Sequence, residues 1–167
     1  VLLLTQEVQS VVRGGHVGNF DVVLDAGLCD LFGGLHLDVV LHRSGHVNVT
    51  FLVVTDTGRR YILQKINHHA FRNVQALSEN IAAVTDFLRS KSSVMSLIRT
   101  KDGAPHTRYG DEYWRVYDYV DGTICLQQPE TDEDFYQAAV GFGTFAQLLS
   151  DFPAEKLHET IPNFHNT

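Results

Sequence analysis

The sequence predicts an α+β domain: a five-stranded antiparallel sheet with one helix inserted after the third strand and a further helix after the fifth. Three observations carry that reading. Apolar residues alternate at period two in short segments separated by glycine-containing turns. One segment repeats its apolar positions at three- and four-residue steps over about five turns. No internal repeat or low-complexity linker divides the chain.

The elements follow in order. Val23, Leu24, Leu28, Leu31 and Phe32 fall near helical spacing between Phe20 and Phe32, and Gly33-Gly34 stops them, which predicts a short leading helix. From Leu35 to His42, Leu35, Leu37, Val39 and Leu41 alternate with their neighbours as a first strand, closed by a turn at Arg43-Ser44-Gly45. Asn48–Thr55 and Arg59–Asn67 are rich in β-branched and aromatic residues, and Asp56-Thr57-Gly58 joins them as a hairpin. Phe71, Val74, Leu77, Ile81, Val84, Phe87 and Leu88 then mark the long amphipathic helix, with Arg89 and Lys91 at its negative dipole end. Val94–Thr100 and Tyr113–Val120, joined by a Lys101-Asp102-Gly103 turn and a polar loop, predict a second hairpin. Thr131 caps a last helix with Asp132, Glu133 and Asp134 in its first turn, and Pro153 ends it near Phe152. Gly141 and Gly143 inside that helix predict close packing against another element.

Composition narrows the function. A chain of 167 residues with 44% apolar content can bury roughly 70% of its unfolded surface without disulfide or metal staples. Its formal charge of -7 opposes a phosphate-backbone footprint, so no nucleic-acid partner is expected. The two cysteines, Cys29 and Cys125, lack CxxC spacing and read as reduced thiols of a cytoplasmic protein. No apolar run approaches the roughly 20 residues of a membrane span, so no membrane partner is expected either. The nine histidines show no ligand spacing: His68 and His69 are adjacent, and His158 and His165 lie in an aperiodic tail. No G-x-S-x-G elbow occurs, and the Asn48-Val49-Thr50 sequon falls within a predicted strand.

Five antiparallel strands with a helix after the third form the layout of a protein-kinase-like small lobe, and the polar residues fall where that layout uses them. The Arg43-Ser44-Gly45-His46 turn would bring backbone N–H groups over nucleotide phosphates. On the third strand, Gln64 and Lys65 must face opposite sides of the sheet, and either is a candidate to lie near the phosphates with Glu79 on the helix as its partner. Trp114-Arg115-Val116-Tyr117-Asp118-Tyr119-Val120-Asp121-Gly122 would supply the hinge, with the backbone of Tyr119–Asp121 facing an adenine edge and Val53, Ile62 and Tyr117 clamping its ring.

Four strings together carry a family resemblance: Gly45-His46-Val47-Asn48-Val49-Thr50-Phe51-Leu52-Val53, Arg60-Tyr61-Ile62-Leu63-Gln64-Lys65-Ile66-Asn67, Trp114-Arg115-Val116-Tyr117 and His158-Glu159-Thr160-Ile161-Pro162-Asn163-Phe164-His165-Asn166-Thr167. In order and spacing the chain from about Phe20 resembles the N-acetylhexosamine 1-kinases of the aminoglycoside phosphotransferase and choline kinase-like superfamily. The resemblance implies transfer of the γ-phosphoryl group of ATP, with magnesium, to the anomeric hydroxyl of an amino sugar. It implies that Ser44, Gly45, His46 and Asn48 form or support the nucleotide loop, that Gln64 or Lys65 with Glu79 lies near the phosphates, and that Asp118, Tyr119, Val120 and Asp121 form the hinge. Arg43 stands where the family tends to have a small glycine.

The resemblance also implies a division into residues 1–19, unassigned; 20–121, the small lobe; and 122–167, the hinge, an interlobe helix and the start of a truncated large lobe. Family members next carry an H-N-D-x-K-x-x-N loop, whose Asp accepts the substrate proton, and a D-x-D-type magnesium segment; the loop string does not occur in this chain, and after Cys125 the only aspartates, Asp132, Asp134 and Asp151, fall in the predicted last helix or at its ends. The chain lacks an initial Met, which adds to the expectation of a fragment with no catalytic or metal-binding residue of its own and no activity alone. A different class of function, a truncated nucleotide-binding or protein-interaction module without catalysis, fits the same strings. Either way, a small lobe without its large lobe is expected to self-associate through its uncovered face.

Overall fold

The computed structural model describes residues 31–32, 37–44 as backbone, 47–92, 95–122 and 128–162. The leading helix before Leu31, residues 1–19, Gly45, His46, both cysteines and the tail after 162 lie outside the described residues.

Among the described residues six strands form one antiparallel sheet: β1 (Leu37–Ser44), β2 (Val49–Thr55), β3 (Arg60–Ile66), β4 (Leu97–Ile98), β5 (Thr107–Tyr109) and β6 (Glu112–Asp118). The order is β1-β2-β3-β6-β4, and β5 pairs with β6 beside β4. Two helices, α1 (Val74–Arg89) and α2 (Asp132–Leu148), follow β3 and β6, and a single 3-10 turn spans Ala154–Lys156. This is a protein-kinase-like small lobe, as the period-two and period-3.6 segments predict.

The turns sit where glycine permits them. Gly58 adopts φ 76° and donates its N–H to Thr55 at 2.8 Å, closing the β2–β3 hairpin, and Gly103 at φ 86° closes the turn after β4. Two expectations shift by a few residues. Helix α1 begins at Val74 rather than near Phe71 because Asn67 accepts the N–H groups of His69 and Ala70 through its side chain and that of Phe71 through its carbonyl, folding a separate turn first. Asn73 then caps the helix by accepting the Ala76 N–H at 3.0 Å. The polar loop before β6 contains the additional strand β5, which exists by pairing Thr107 with Trp114 and Tyr109 with Glu112 along the β6 edge that β4 leaves uncovered.

Each face of the sheet carries its own core. Ile62 and Tyr117, both at 0% exposure, pack with Leu97 against Ile81 of α1, flanked by Leu52, Leu77 and Tyr119. The opposite face holds Phe51, Val53, Leu63 and Val116 with Phe32. Ile66, Phe71 and Val74 form a third cluster at the end of β3, touched by Ile161 from the tail.

Helix α2 has the capping box that its sequence announces: Thr131 Oγ1 accepts the Asp134 N–H while Asp134 accepts the Thr131 N–H. It ends at Leu148, and turn hydrogen bonds from Ser150 to Gln147 and from Phe152 to Leu149 replace its predicted last turn. Its end is tied to that of α1. Lys91 donates to Leu148 O at 3.1 Å and ion-pairs with Asp151, and Phe152 meets Phe87 edge-on at 5.1 Å. The expectation that Gly141 and Gly143 serve close packing is overturned, since a Cβ at either would meet nothing within 4 Å. No residue of α2 is buried, and Phe135, Tyr136, Val140 and Phe142 are all exposed. Among the described residues no helix is long and apolar enough to cross a membrane.

Candidate functional site

The register of the sheet assigns each candidate side chain to a face. Because β3 pairs Leu63 with Val116 and Gln64 with Arg115, successive residues of both strands alternate between the α1 face and the opposite one. Gln64 shares the α1 face with Ile62 and is fully buried, whereas Lys65 stands on the other face with its side chain a third exposed. Of the two side chains, Gln64 is the one on the α1 face of the sheet.

Gln64 is the centre of a buried polar cluster. Its Nε2 donates to Thr50 Oγ1 at 3.0 Å, and its Oε1 accepts from Arg115 Nε at 2.9 Å and Nη2 at 2.6 Å. Thr50, Gln64 and Arg115 are 1%, 0% and 2% exposed. These bonds follow from register, for β2 sets Thr50 opposite Gln64 and β6 sets Arg115 opposite it on the other side. The Arg115 guanidinium also lies 5.3 Å from the Tyr117 ring centroid. His106 lies close by. Burial holds its imidazole below the usual histidine pKa, the charge of Arg115 lowers it further, and the charge of Glu79 partly opposes both.

The expected partnership between β3 and Glu79 takes another form. Lys65 donates to Glu112 Oε1 at 3.3 Å, on the face away from α1. Glu79 instead accepts from Gln75 at 2.7 Å and pairs with His158 Nε2 at 2.9 Å. Beside it, Asn80 donates to His158 O and accepts the His158 N–H, both at 2.8 Å, so the tail is clasped to α1 at one peptide. Neither Gln64 nor Lys65 pairs with Glu79 in the described contacts.

The remaining candidates divide between the two ends of the sheet. Ser44 ends β1 opposite Val49. Asn48 is 4% exposed and its Oδ1 accepts the Asn67 N–H at 2.9 Å, pinning the start of β2 to the end of β3. At the other end, Asp118 faces Tyr61 across the β3–β6 ladder and donates its N–H to Ser96 O at 3.0 Å. Tyr119 donates its N–H to Arg60 O, while the Arg60 guanidinium lies 4.6 Å over the Tyr119 ring and ion-pairs with Asp121. Val120 is 42% exposed, and Gly122 at φ 72° completes the turn.

Of the three residues expected to clamp a ring, Ile62 and Tyr117 share the α1 face, but Val53 belongs to the opposite core. Leu52, paired with Ile62, takes the place expected of Val53 on that face. Leu52, Thr50 and Arg115 are what sequence reasoning missed. The signal was present in the alternation itself once Ile62 and Gln64 were placed on one face. Among the described residues no three His, Cys, Asp or Glu side chains converge to hold a metal ion, so these residues do not by themselves fit a magnesium site.

Residues 38–165 match the phosphotransferase enzyme family. An amicoumacin kinase, hAmiN, solved in complex with AMP-PNP, Ca2+ and Ami, superposes with a TM-score of 0.55 at 18% identity, covering 80% of this chain and 41% of its own. An aminoglycoside phosphotransferase from Alicyclobacillus acidocaldarius superposes with a TM-score of 0.52 at 16% identity, covering 84% of this chain and 40% of its own. The chain thus spans about two fifths of each of these structures.

Proposed function

The chain belongs to the phosphotransferase enzyme family, and on that premise we propose that it is the N-terminal part of an ATP-dependent small-molecule kinase acting on the anomeric hydroxyl of an N-acetylhexosamine. The observation that carries the reading is the family match across 38–165 on a sheet with α1 inserted after β3. That match supports phosphoryl transfer, and the four sequence strings named above support the amino-sugar class. The AMP-PNP and Ca2+ named for the amicoumacin kinase support ATP with a divalent ion as the partners of the intact fold.

In this reading the nucleotide lies along the α1 face. Leu52, Ile62 and Tyr117 offer apolar surface near the Asp118–Asp121 hinge, and the phosphates extend toward the Gln64 end of β3. Positioning and charge stabilisation carry phosphoryl transfer; the H-N-D-x-K-x-x-N loop that holds the base does not occur in this chain, and its D-x-D string, Asp132-Glu133-Asp134, is the capped start of α2. Residues 1–167 alone therefore bind without turning over. The exposed apolar face of α2, with Phe135, Tyr136 and Phe142, is the surface through which the isolated chain self-associates. A monodisperse monomer in sedimentation would contradict that last point.

The test is the gene beyond the Thr167 codon. An open frame encoding the H-N-D-x-K-x-x-N loop, whose product phosphorylates N-acetylglucosamine or N-acetylgalactosamine at C1 with ATP, is the expected result. A stop codon at that point would leave a non-catalytic module, and turnover by 1–167 alone would overturn the division of labour.

A further inference from the structure

Among the described residues Arg115 is a cation without a counter-ion. The residue is 2% exposed, and no described carboxylate forms an ion pair with it. Its acceptor is the neutral amide oxygen of Gln64, which takes Nε and Nη2, while Nη1 has no hydrogen-bond partner. A buried charge so placed is costly unless an anion meets it, because desolvation of an ion outweighs what one amide dipole returns.

Its position specifies which anion. Arg115 lies on the α1 face, three residues along β6 from Asp118, hence about 10 Å from the hinge at the rise of a β-strand. An extended nucleoside triphosphate seated at the hinge covers that span with its phosphates. The β3 residue on the same face, Gln64, is neutral, and the only lysine of β3 points to the other side and is paired with Glu112. The planar fork of a guanidinium suits two phosphate oxygens, and Gln64 already fixes its orientation.

We propose that Arg115, oriented by Gln64, is the residue that binds the nucleotide's phosphates, so that the positive charge of this site stands on β6 and not on β3. The proposal rests on the kinase reading above for the identity of the ligand. Nη1 is closed to solvent in the unliganded chain, so binding is accompanied by movement of the side chains that cover it.

Thermal unfolding of the 167-residue chain is followed with millimolar inorganic tripolyphosphate, ATP or adenosine at constant ionic strength, each shift being measured against the same variant without ligand. Tripolyphosphate and ATP are expected to raise the unfolding temperature of the wild type. Arg115→Met is expected to lose both shifts, corresponding to about tenfold or more in affinity, and Arg115→Lys to retain part of them. Gln64→Glu keeps the fold by supplying an internal counter-ion, and is expected to lose the tripolyphosphate shift while unfolding at or above the wild-type temperature. Arg108→Met, which removes an exposed cation on β5, is expected to leave the shifts intact.

Retention of the shifts by Arg115→Met or Gln64→Glu, their loss on Lys65→Met, or no shift in the wild type would each overturn the proposal. Two outcomes separate it from the reading beneath it. ATP stabilising wild type and Arg115→Met equally keeps the nucleotide and removes Arg115 from its site. Tripolyphosphate matching ATP, with adenosine inert and both shifts lost in Arg115→Met, keeps the phosphate site and removes the nucleotide.

Discussion

Replacing Gln64 by Leu isolates the energetics of the buried cluster. The change nearly preserves side-chain volume, so the loss is of hydrogen bonds and not of packing, among them one to Thr50 at 3.0 Å and two from Arg115 at 2.9 and 2.6 Å. Hydrogen bonds to a charged group contribute about 1.5–3 kcal/mol each, and stripping a buried charge of its partner costs about 3–5 kcal/mol. Gln64→Leu is therefore expected to destabilise the chain by about 3–5 kcal/mol, roughly a 10 °C fall in unfolding temperature for a chain of this size. Adding Arg115→Met removes the stranded charge, so the double variant is expected to recover about 2 kcal/mol or more relative to the sum of the single changes. Urea unfolding followed by the fluorescence of the single tryptophan, Trp114 on the neighbouring position of β6, gives each leg of the cycle. A Gln64→Leu chain within about 1 kcal/mol of wild type, or strict additivity in the double variant, would refute the reasoning.

Three further outcomes follow from the same structure. Ile62→Ala, at a fully buried position between the sheet and α1, is expected to cost about 2–5 kcal/mol in the same urea assay. Because the folded pKa of His106 lies below its ordinary value of 6.5, its contribution is fully present above that value and is lost as pH falls from 6.5 toward the folded pKa. His106→Gln should flatten that limb of the unfolding temperature against pH, and an unchanged slope would show that other histidines carry it. Thr131→Ala opens the capping box of a helix with no buried residue and is expected to cost about 1 kcal/mol of helix stability, read as faster hydrogen exchange over residues 132–148.

What was legible in the sequence was local. The β2–β3 hairpin follows from β-branched residues around a glycine that needs positive φ, and α1 from its apolar stripe. Thr131 and Asp134 announce the start of α2 because both halves of the capping box lie within four residues. What was illegible was set by distant partners. Thr107–Tyr109 is too short and polar to signal a strand and becomes one only on the free edge of β6. Gln64 and Lys65 were known to diverge, but the face that receives α1 is decided by the whole sheet. Arg115 has the look of a solvated charge in its own string, and only the pairing with Gln64 shows it to be interior. Glu79 was matched to β3 by layout, yet a histidine 79 positions later in the chain holds it.

The polar cluster is hard to explain by stability alone. Thr50, Gln64 and Arg115 occupy sheet positions beneath an amphipathic helix where apolar side chains would pack without desolvating a charge, and such replacements are commonly neutral or stabilising. If the Gln64→Leu, Arg115→Met pair proves nearly as stable as wild type while losing its response to tripolyphosphate, the cluster makes no net contribution to folding. Its presence is then accounted for by the anion it binds. If the pair is instead far less stable, the cluster is a fold-specifying network, and the buried Nη1 of Arg115, which has no hydrogen-bond partner, needs another explanation. Stability and phosphate response, measured on one set of variants, therefore answer separate questions about the same three side chains.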